Sequence, residues 1–153
     1  MTETGKTYFQ SPIGWIKIEG GAEGIQALTF LDEAPQAAPS LDPLLADCFS
    51  QLAEYFQGAR KLFSLKLHLS GTEFQQQVWQ AVMSIPFGET AAYADIARKI
   101  GNPRAVRAVG QANGHNRLPI IIPCHRIIGS NHQLTGYSGG LWRKEWLLAH
   151  ERK

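Results

Sequence analysis

The chain has 153 residues, 44% hydrophobic and 18% charged, enough to bury one substantial core or two small ones. Its longest apolar runs, such as Leu118 to Pro123, are far too short to span a bilayer, and no basic start followed by an apolar stretch opens the sequence, so no membrane association is expected and the cytoplasm is the expected compartment. The two cysteines, Cys48 and Cys124, form no CxxC pair or metal-ligand spacing, which argues against a disulfide framework, and the net charge of +2 is unevenly spread: 5 Lys+Arg against 8 Asp+Glu up to Ser70, 10 against 5 from Gly71 onward.

A basic half attracts a polyanion such as nucleic acid, although a mildly basic solvated surface has the same balance. Near the N-terminus, Ile16 and Ile18 alternate with Lys17 and Glu19. A turn rich in glycine at Gly20, Gly21 and Gly24 leads into Ile25 to Phe30, and the pattern predicts a hairpin. After a Pro/Ala-rich linker around Pro35 to Pro39, Asp42 caps a predicted helix with Pro43 in its first position. Leu44, Cys48, Leu52 and Tyr55 form its apolar face and Gly58 stops it, so Cys48 reads as packing. Leu65, Leu67 and Leu69 alternate with polar residues as a strand with one buried face would.

From residue 71 the period becomes helical. Thr72 and Gln75 form a capping box, and Phe74, Val78, Ala81, Val82 and Ile85 make a core stripe that stops at Pro86. The next helix carries Tyr93, Ile96, Ala97 and Ile100 and ends at Gly101. Asn102 then caps another, with Pro103 in its first turn. Two short helices joined at Gly-Asn-Pro suggest helix-turn-helix. In the second, Arg104, Arg107 and Gln111 are expected on one face, Val106 and Val109 toward the core, and small Ala105, Ala108 and Gly110 permit close approach to a partner. An ordinary solvated helix face fits that pattern equally well. The sequence contains no internal repeat or low-complexity segment.

Pro119-Ile120-Ile121-Ile122-Pro123 then reads as a strand leading into Cys124-His125-Arg126. A thiol attacks as thiolate, and an adjacent imidazole or guanidinium lowers its pKa. Neighbours on an extended segment point to opposite sides, so His125 would take the proton through a bridging water. Taken alone, Cys124-His125 fits a buried packing cysteine as well as an activated nucleophile.

The flanking residues resolve that balance. Arg104-Ala105-Val106-Arg107-Ala108-Val109-Gly110, Asn113, Asn116, Pro123-Cys124-His125-Arg126-Ile127-Ile128-Gly129, Gly136-Tyr137-Ser138-Gly139-Gly140 and Lys144 to Glu151 resemble the O6-alkylguanine-DNA alkyltransferases, in order, from residue 71 to the C-terminus. Ser11 to Trp15 and Gly24 to Leu31 resemble that family's small RNase H-like domain. The resemblance implies an α+β protein: an RNase H-like sheet domain over 1–70, mainly structural, and a mainly helical, winged helix-turn-helix-like domain over 71–153 that binds DNA and accepts the alkyl group.

It also implies a reaction. Cys124 is the single-use acceptor of an alkyl group from O6-alkylguanine, and also from O4-alkylthymine, in double-stranded DNA after base flipping. His125 is the base acting through water, Glu151 orients it, and Asn116 holds the active-site turn. Tyr93 contacts and protonates the guanine, where a core aromatic would otherwise be read, and Arg107 fills the gap in the base stack, where a surface charge would be. Arg104, Ala108, Gln111 and Arg126 are expected against DNA. Tyr137 and Ser138 close over the base, and the Ile127 carbonyl accepts from its exocyclic amine. No metal or organic cofactor is implied, and the protein is expected to be a monomer.

One departure is Arg117 after Asn116, where many family members carry proline; it would loosen the turn or add a phosphate contact. Three rivals differ in kind. A lesion sensor would lack the cysteine that stands here in an intact Pro-Cys-His-Arg motif. A helix-turn-helix regulator would ignore alkylation and leave that motif unexplained. A Cys-His hydrolase would need an oxyanion site.

Overall fold

The computed structural model describes residues 4–36, 41–129, 137 and 139–152. The chain divides into two compact units, Met1–Leu69 and Ser70–Lys153. Among the described residues no helix is long and apolar enough to cross a membrane.

The first unit is built on an antiparallel meander, β1 (Thr4–Ser11), β2 (Gly14–Gly21) and β3 (Gly24–Leu31), in the order β1-β2-β3. The predicted hairpin is therefore the second half of a three-stranded sheet. β1 escaped notice because its inward row is Thr7, Phe9 and Ser11, only one of them strongly apolar, paired with Ile18, Ile16 and Gly14. At the β2–β3 bulge a Cβ on Gly20 would lie 2.6 Å from the Gly24 carbonyl oxygen, so only glycine fits.

Asp42 accepts a hydrogen bond from the Leu44 amide (2.9 Å) and opens a 3-10 turn, Pro43–Leu45, that runs into α1 (Ala46–Phe56). Three residues per turn shift the phase of the apolar face. Leu45 is consequently sealed and Leu44, expected inside, is exposed, while Cys48, Leu52 and Tyr55 are buried as anticipated. The strand expected from Leu65 to Leu69 reduces to one parallel bridge: the Ile25 amide donates to the Lys66 carbonyl and the His68 amide to the Ile25 carbonyl, both at 2.9 Å. Alternation of apolar residues reports which side chains face the core, not whether a partner strand runs alongside.

In the second unit, α2 (Glu73–Met83) begins with the predicted capping box: the Gln75 amide donates to Thr72 Oγ1 and the Thr72 amide to Gln75 Oε1. Its face of Val78, Trp79, Ala81 and Val82 is buried, and Trp79 Nε1 donates to the Ala112 carbonyl (2.8 Å), tying α2 to α4 (Val106–Gly114). Between them lies α3 (Tyr93–Lys99), preceded by β4 (Ala91–Ala92), which pairs in parallel with β5 (Ile127–Ile128). α5 (Leu141–Glu151) ends the described fold.

The start of α4 differs from expectation. Asn102 does not cap it; its amide donates to the Ala97 carbonyl (2.9 Å) while the Gly101 amide donates to Arg98 (3.0 Å), closing α3 in a Schellman motif with Gly101 at φ +79°. Asn102 to Ala105 form a connecting turn and the helix begins at Val106. Arg104 therefore sits on the turn rather than on the helix, and Val106, expected to reach the core, is exposed, whereas Val109 is fully buried.

Candidate active site

The site is set by one asparagine. Asn116, just past α4, donates from Nδ2 to the Ile122 carbonyl (2.9 Å) and accepts at Oδ1 from the Leu118 amide (2.8 Å). With the Ile122 amide donating to Leu118 (2.8 Å), these bonds curl residues 118 to 122 into a buried turn, where a strand was expected. Ile120 sits at φ +75°, a costly conformation for a β-branched residue, and is held there by the surrounding bonds. Apolar composition and two flanking prolines describe such a turn as well as a strand; the asparagine makes the difference. Arg117 projects from the turn into solvent, and both Asn116 bonds form beneath it.

The turn delivers Cys124 to a 3-10 turn, Cys124–Arg126, in which the Arg126 amide donates to the Pro123 carbonyl (2.9 Å). The segment is thus not extended, and adjacent Cys124 and His125 are not held to opposite sides as they would be on a strand. Cys124 is 5% exposed. Burial pushes its thiol above the ordinary value, opposed by a hydrogen bond from Asn116, the positive charge of Lys144, its own backbone and Tyr137. The expected depressed thiol is therefore overturned: desolvation wins, and the resting sulfur carries its proton.

His125 is fully buried, and its Nε2 lies 2.7 Å from Glu151 Oε2. Burial lowers its pKa; Glu151 works against that, and the charges of Arg126 and Lys144 add to it. A neutral ring beside an acceptor-only carboxylate carries its hydrogen on Nε2, leaving the lone pair on Nδ1. Nδ1 is buried and has no hydrogen-bond partner among the described residues.

Glu151 is also held by Arg126 Nε (2.8 Å, to Oε1) and Nη2 (3.0 Å, to Oε2) and by the Gly88 amide (3.4 Å, to Oε1), and Arg126 Nη1 donates to the Ile85 carbonyl (2.6 Å). The guanidinium also lies 5.7 Å from the centre of the Phe87 ring. Arg126, expected against DNA, is instead buried at 5% exposure with its donors committed inward.

Lys144 was missed by the sequence reading. It is 1% exposed, and its Nζ donates to the carbonyl of Ile127 (2.6 Å), the same carbonyl expected to receive the base amine. Its signal was available: Lys144, Leu147, Leu148 and Glu151 recur at helical spacing, so the lysine shares the buried face of α5. Burial lowers its pKa, and the nearby Cys124 sulfur opposes this. Arg143 is also buried, donating to the Gly139 carbonyl (2.7 Å).

Toward the surface, Tyr93 is half-buried at the start of α3 with its ring against α4: a Cβ on Gly110 would lie 3.7 Å from Tyr93 Cε1. Arg104, Arg107, Ala108 and Gln111 are all exposed; Arg107 and Gln111 share one face of α4. Tyr137 is half-buried. Ser138 lies outside the described residues. Among the described residues no group of three or more His, Cys, Asp or Glu is arranged to hold a metal ion.

Residues 73–153 match the model of the 6-O-methylguanine DNA methyltransferase DNA binding domain, and residues 5–69 that of the ribonuclease-like domain of the same proteins. The chain belongs to the 6-O-methylguanine DNA methyltransferase family. A relative from Methanosarcina acetivorans, named methylated-DNA--protein-cysteine methyltransferase, is 47% identical over 94% of this chain and 95% of its own length. The constitutive methylated-DNA--protein-cysteine methyltransferase of Bacillus subtilis is 59% identical over 72% of this chain and 67% of its own. Among solved structures, that of the Mycobacterium tuberculosis O6-methylguanine methyltransferase superposes with a TM-score of 0.87 at 42% identity, covering 98% of this chain and 93% of that one. The Mycobacterium tuberculosis OGT in complex with DNA gives 0.85 at 44% identity, covering 95% and 91%. The α+β architecture read from the sequence is that of this family, a ribonuclease-like unit followed by a helical DNA-binding unit.

Proposed function

We propose that this protein repairs DNA by moving a methyl or other alkyl group from O6 of guanine in a duplex to Cys124, once per molecule. The observation that carries the reading is the buried relay beside Cys124: Glu151 fixes His125 through Nε2, and Nδ1 is left as a base with no partner among the described residues. Family membership and the DNA complex of a relative support DNA as the partner.

The alkyl carbon on O6 is out of reach inside a duplex, so the nucleotide rotates out, at an unstacking cost of about a few kcal/mol. The exposed α4 face supplies the duplex contact, with Arg107 entering the stack and Arg104, Ala108 and Gln111 beside it. Tyr137, the neighbouring Ser138 and the Ile127 carbonyl receive the base.

The Cys124 proton passes through a water to His125 Nδ1 as sulfur attacks the alkyl carbon in line. The S–C bond forms, the C–O6 bond breaks, and its electron pair returns to guanine, which takes a proton from the Tyr93 hydroxyl. Tyr93 recovers a proton through solvent from the imidazolium. Lys144 and the Asn116 amide stabilise negative charge as it develops on sulfur. The product thioether has no good leaving group, so the enzyme does not recycle.

The reading carries with it a monomer acting in the cytoplasm, where a free thiol persists. To test it, the protein is incubated with a duplex bearing one O6-methylguanine and the DNA is digested to nucleosides. Restored guanine equal to the protein added supports the reading; lesion binding with no guanine restored would reduce the protein to a sensor.

A further inference from the structure

A row of residues three apart runs along α4 and past its end: Arg107, Gly110, Asn113 and Asn116. It starts in solvent at Arg107, passes Gly110 beneath the Tyr93 ring, and ends at buried Asn116, which holds the turn leading to Cys124. Asn113 stands one turn from each of these last two landmarks. Its Oδ1 is buried and has no hydrogen-bond partner among the described residues, as is also true of His125 Nδ1.

A buried carbonyl oxygen without a donor carries a desolvation cost that native structures rarely leave in place. In the relay the orphaned imidazole nitrogen has a task. We propose that the orphaned amide oxygen has one too: Asn113 Oδ1 accepts a hydrogen bond from the exocyclic amine of the flipped base, making Asn113 a determinant of base specificity. This rests on the alkyltransferase reading above.

The chemistry of the base selects that donor. Once O6 is alkylated, N1 carries no hydrogen, and N3 and N7 are acceptors, so the exocyclic amine supplies the base's only N–H groups. It has two of them, and the Ile127 carbonyl expected to take one already receives the Lys144 ammonium at 2.6 Å. A second acceptor would satisfy the amine and would discriminate against bases that lack it.

The test is a cycle between protein and substrate, read as single-turnover transfer rates. Duplexes carrying O6-methylguanine or O6-methylhypoxanthine, the same base without the amine, are compared for the wild type and Asn113→Leu. The expected result is a penalty of about tenfold for removing the amine in the wild type, shrinking by threefold or more in the variant. A smaller change in that penalty overturns the proposal, because a residue that only supports the fold would slow both substrates alike. If Asn113→Leu does not fold, Asn113→Ala is read the same way. Failure of the wild type to accept methyl from either duplex would instead overturn the alkyltransferase reading.

Discussion

His125 Nε2 and Glu151 Oε2 meet at 2.7 Å across 26 positions of sequence, with both side chains sealed from solvent. The contact fixes which ring nitrogen carries hydrogen, and hence which can take a proton from Cys124. Glu151→Gln keeps the shape but can present its amide to the ring and removes the charge. Transfer should slow by about 100-fold or more. The variant should also lose about 3 kcal/mol of stability, because Arg126 then remains as a buried cation without its counter-ion. Quench-flow rates and chemical denaturation measure the two effects separately.

Arg126 and Arg104 should behave as different kinds of residue. Arg126→Ala leaves the Glu151 carboxylate without its bidentate partner, and a stability loss of about 3–5 kcal/mol is expected. Arg104→Ala removes an exposed cation: stability should hold, while the slope of log affinity for duplex against log salt falls by about one. A salt titration on folded protein distinguishes them, and an Arg126 variant with wild-type stability would contradict the buried clamp.

The pH dependence follows from the imidazole. Burial lowers the His125 pKa from its ordinary 6.5, so the ring is neutral and able to accept a proton at pH 7, and transfer should be flat there. The acid limb should have its midpoint below 6.5. Stability moves with the same sign: the unfolded chain binds the proton first, so this contribution is complete above the ordinary value and is lost as pH falls through the lower folded one. Transfer rates and melting temperatures measured from about pH 8 to about pH 5 provide the check; an acid limb above the ordinary histidine range would contradict a neutral, buried base.

Arg107 separates base flipping from chemistry. Arg107→Ala should slow transfer from duplex DNA by about tenfold or more, since the wedge offsets part of an unstacking cost of about a few kcal/mol. Transfer from free O6-methylguanine base, which needs no flipping, should be little changed. Equal losses on both substrates would place Arg107 in the chemistry instead.

The elements legible in the sequence are those whose signal is local. The Thr72–Gln75 box, the Val78–Val82 stripe and the burial of Cys48, Leu52 and Tyr55 follow from periodicity and caps, and all are present. Three of the failures share a cause: a polar group chose its partner outside its own segment. Asn102 closes the preceding helix instead of opening the next, and Asn116 curls an apolar run that reads as a strand. Arg126 turns inward to a carboxylate 25 residues away. Cys124 and His125 stood out because they are adjacent in the chain; that burial would keep the thiol protonated, and that Lys144 would lie behind Ile127, required the fold.

The central claim is that Cys124 itself takes the alkyl group. Cys48, fully buried with its thiol pushed up to about 12, is an internal control. The most direct measurement is the intact mass of the protein after reaction with excess duplex carrying one O6-methylguanine, followed by peptide mapping, with Cys124→Ser alongside. A gain of one methyl group per molecule is expected, confined to Cys124 and absent from the variant. Methyl on another residue, or an unchanged mass despite tight lesion binding, would contradict it.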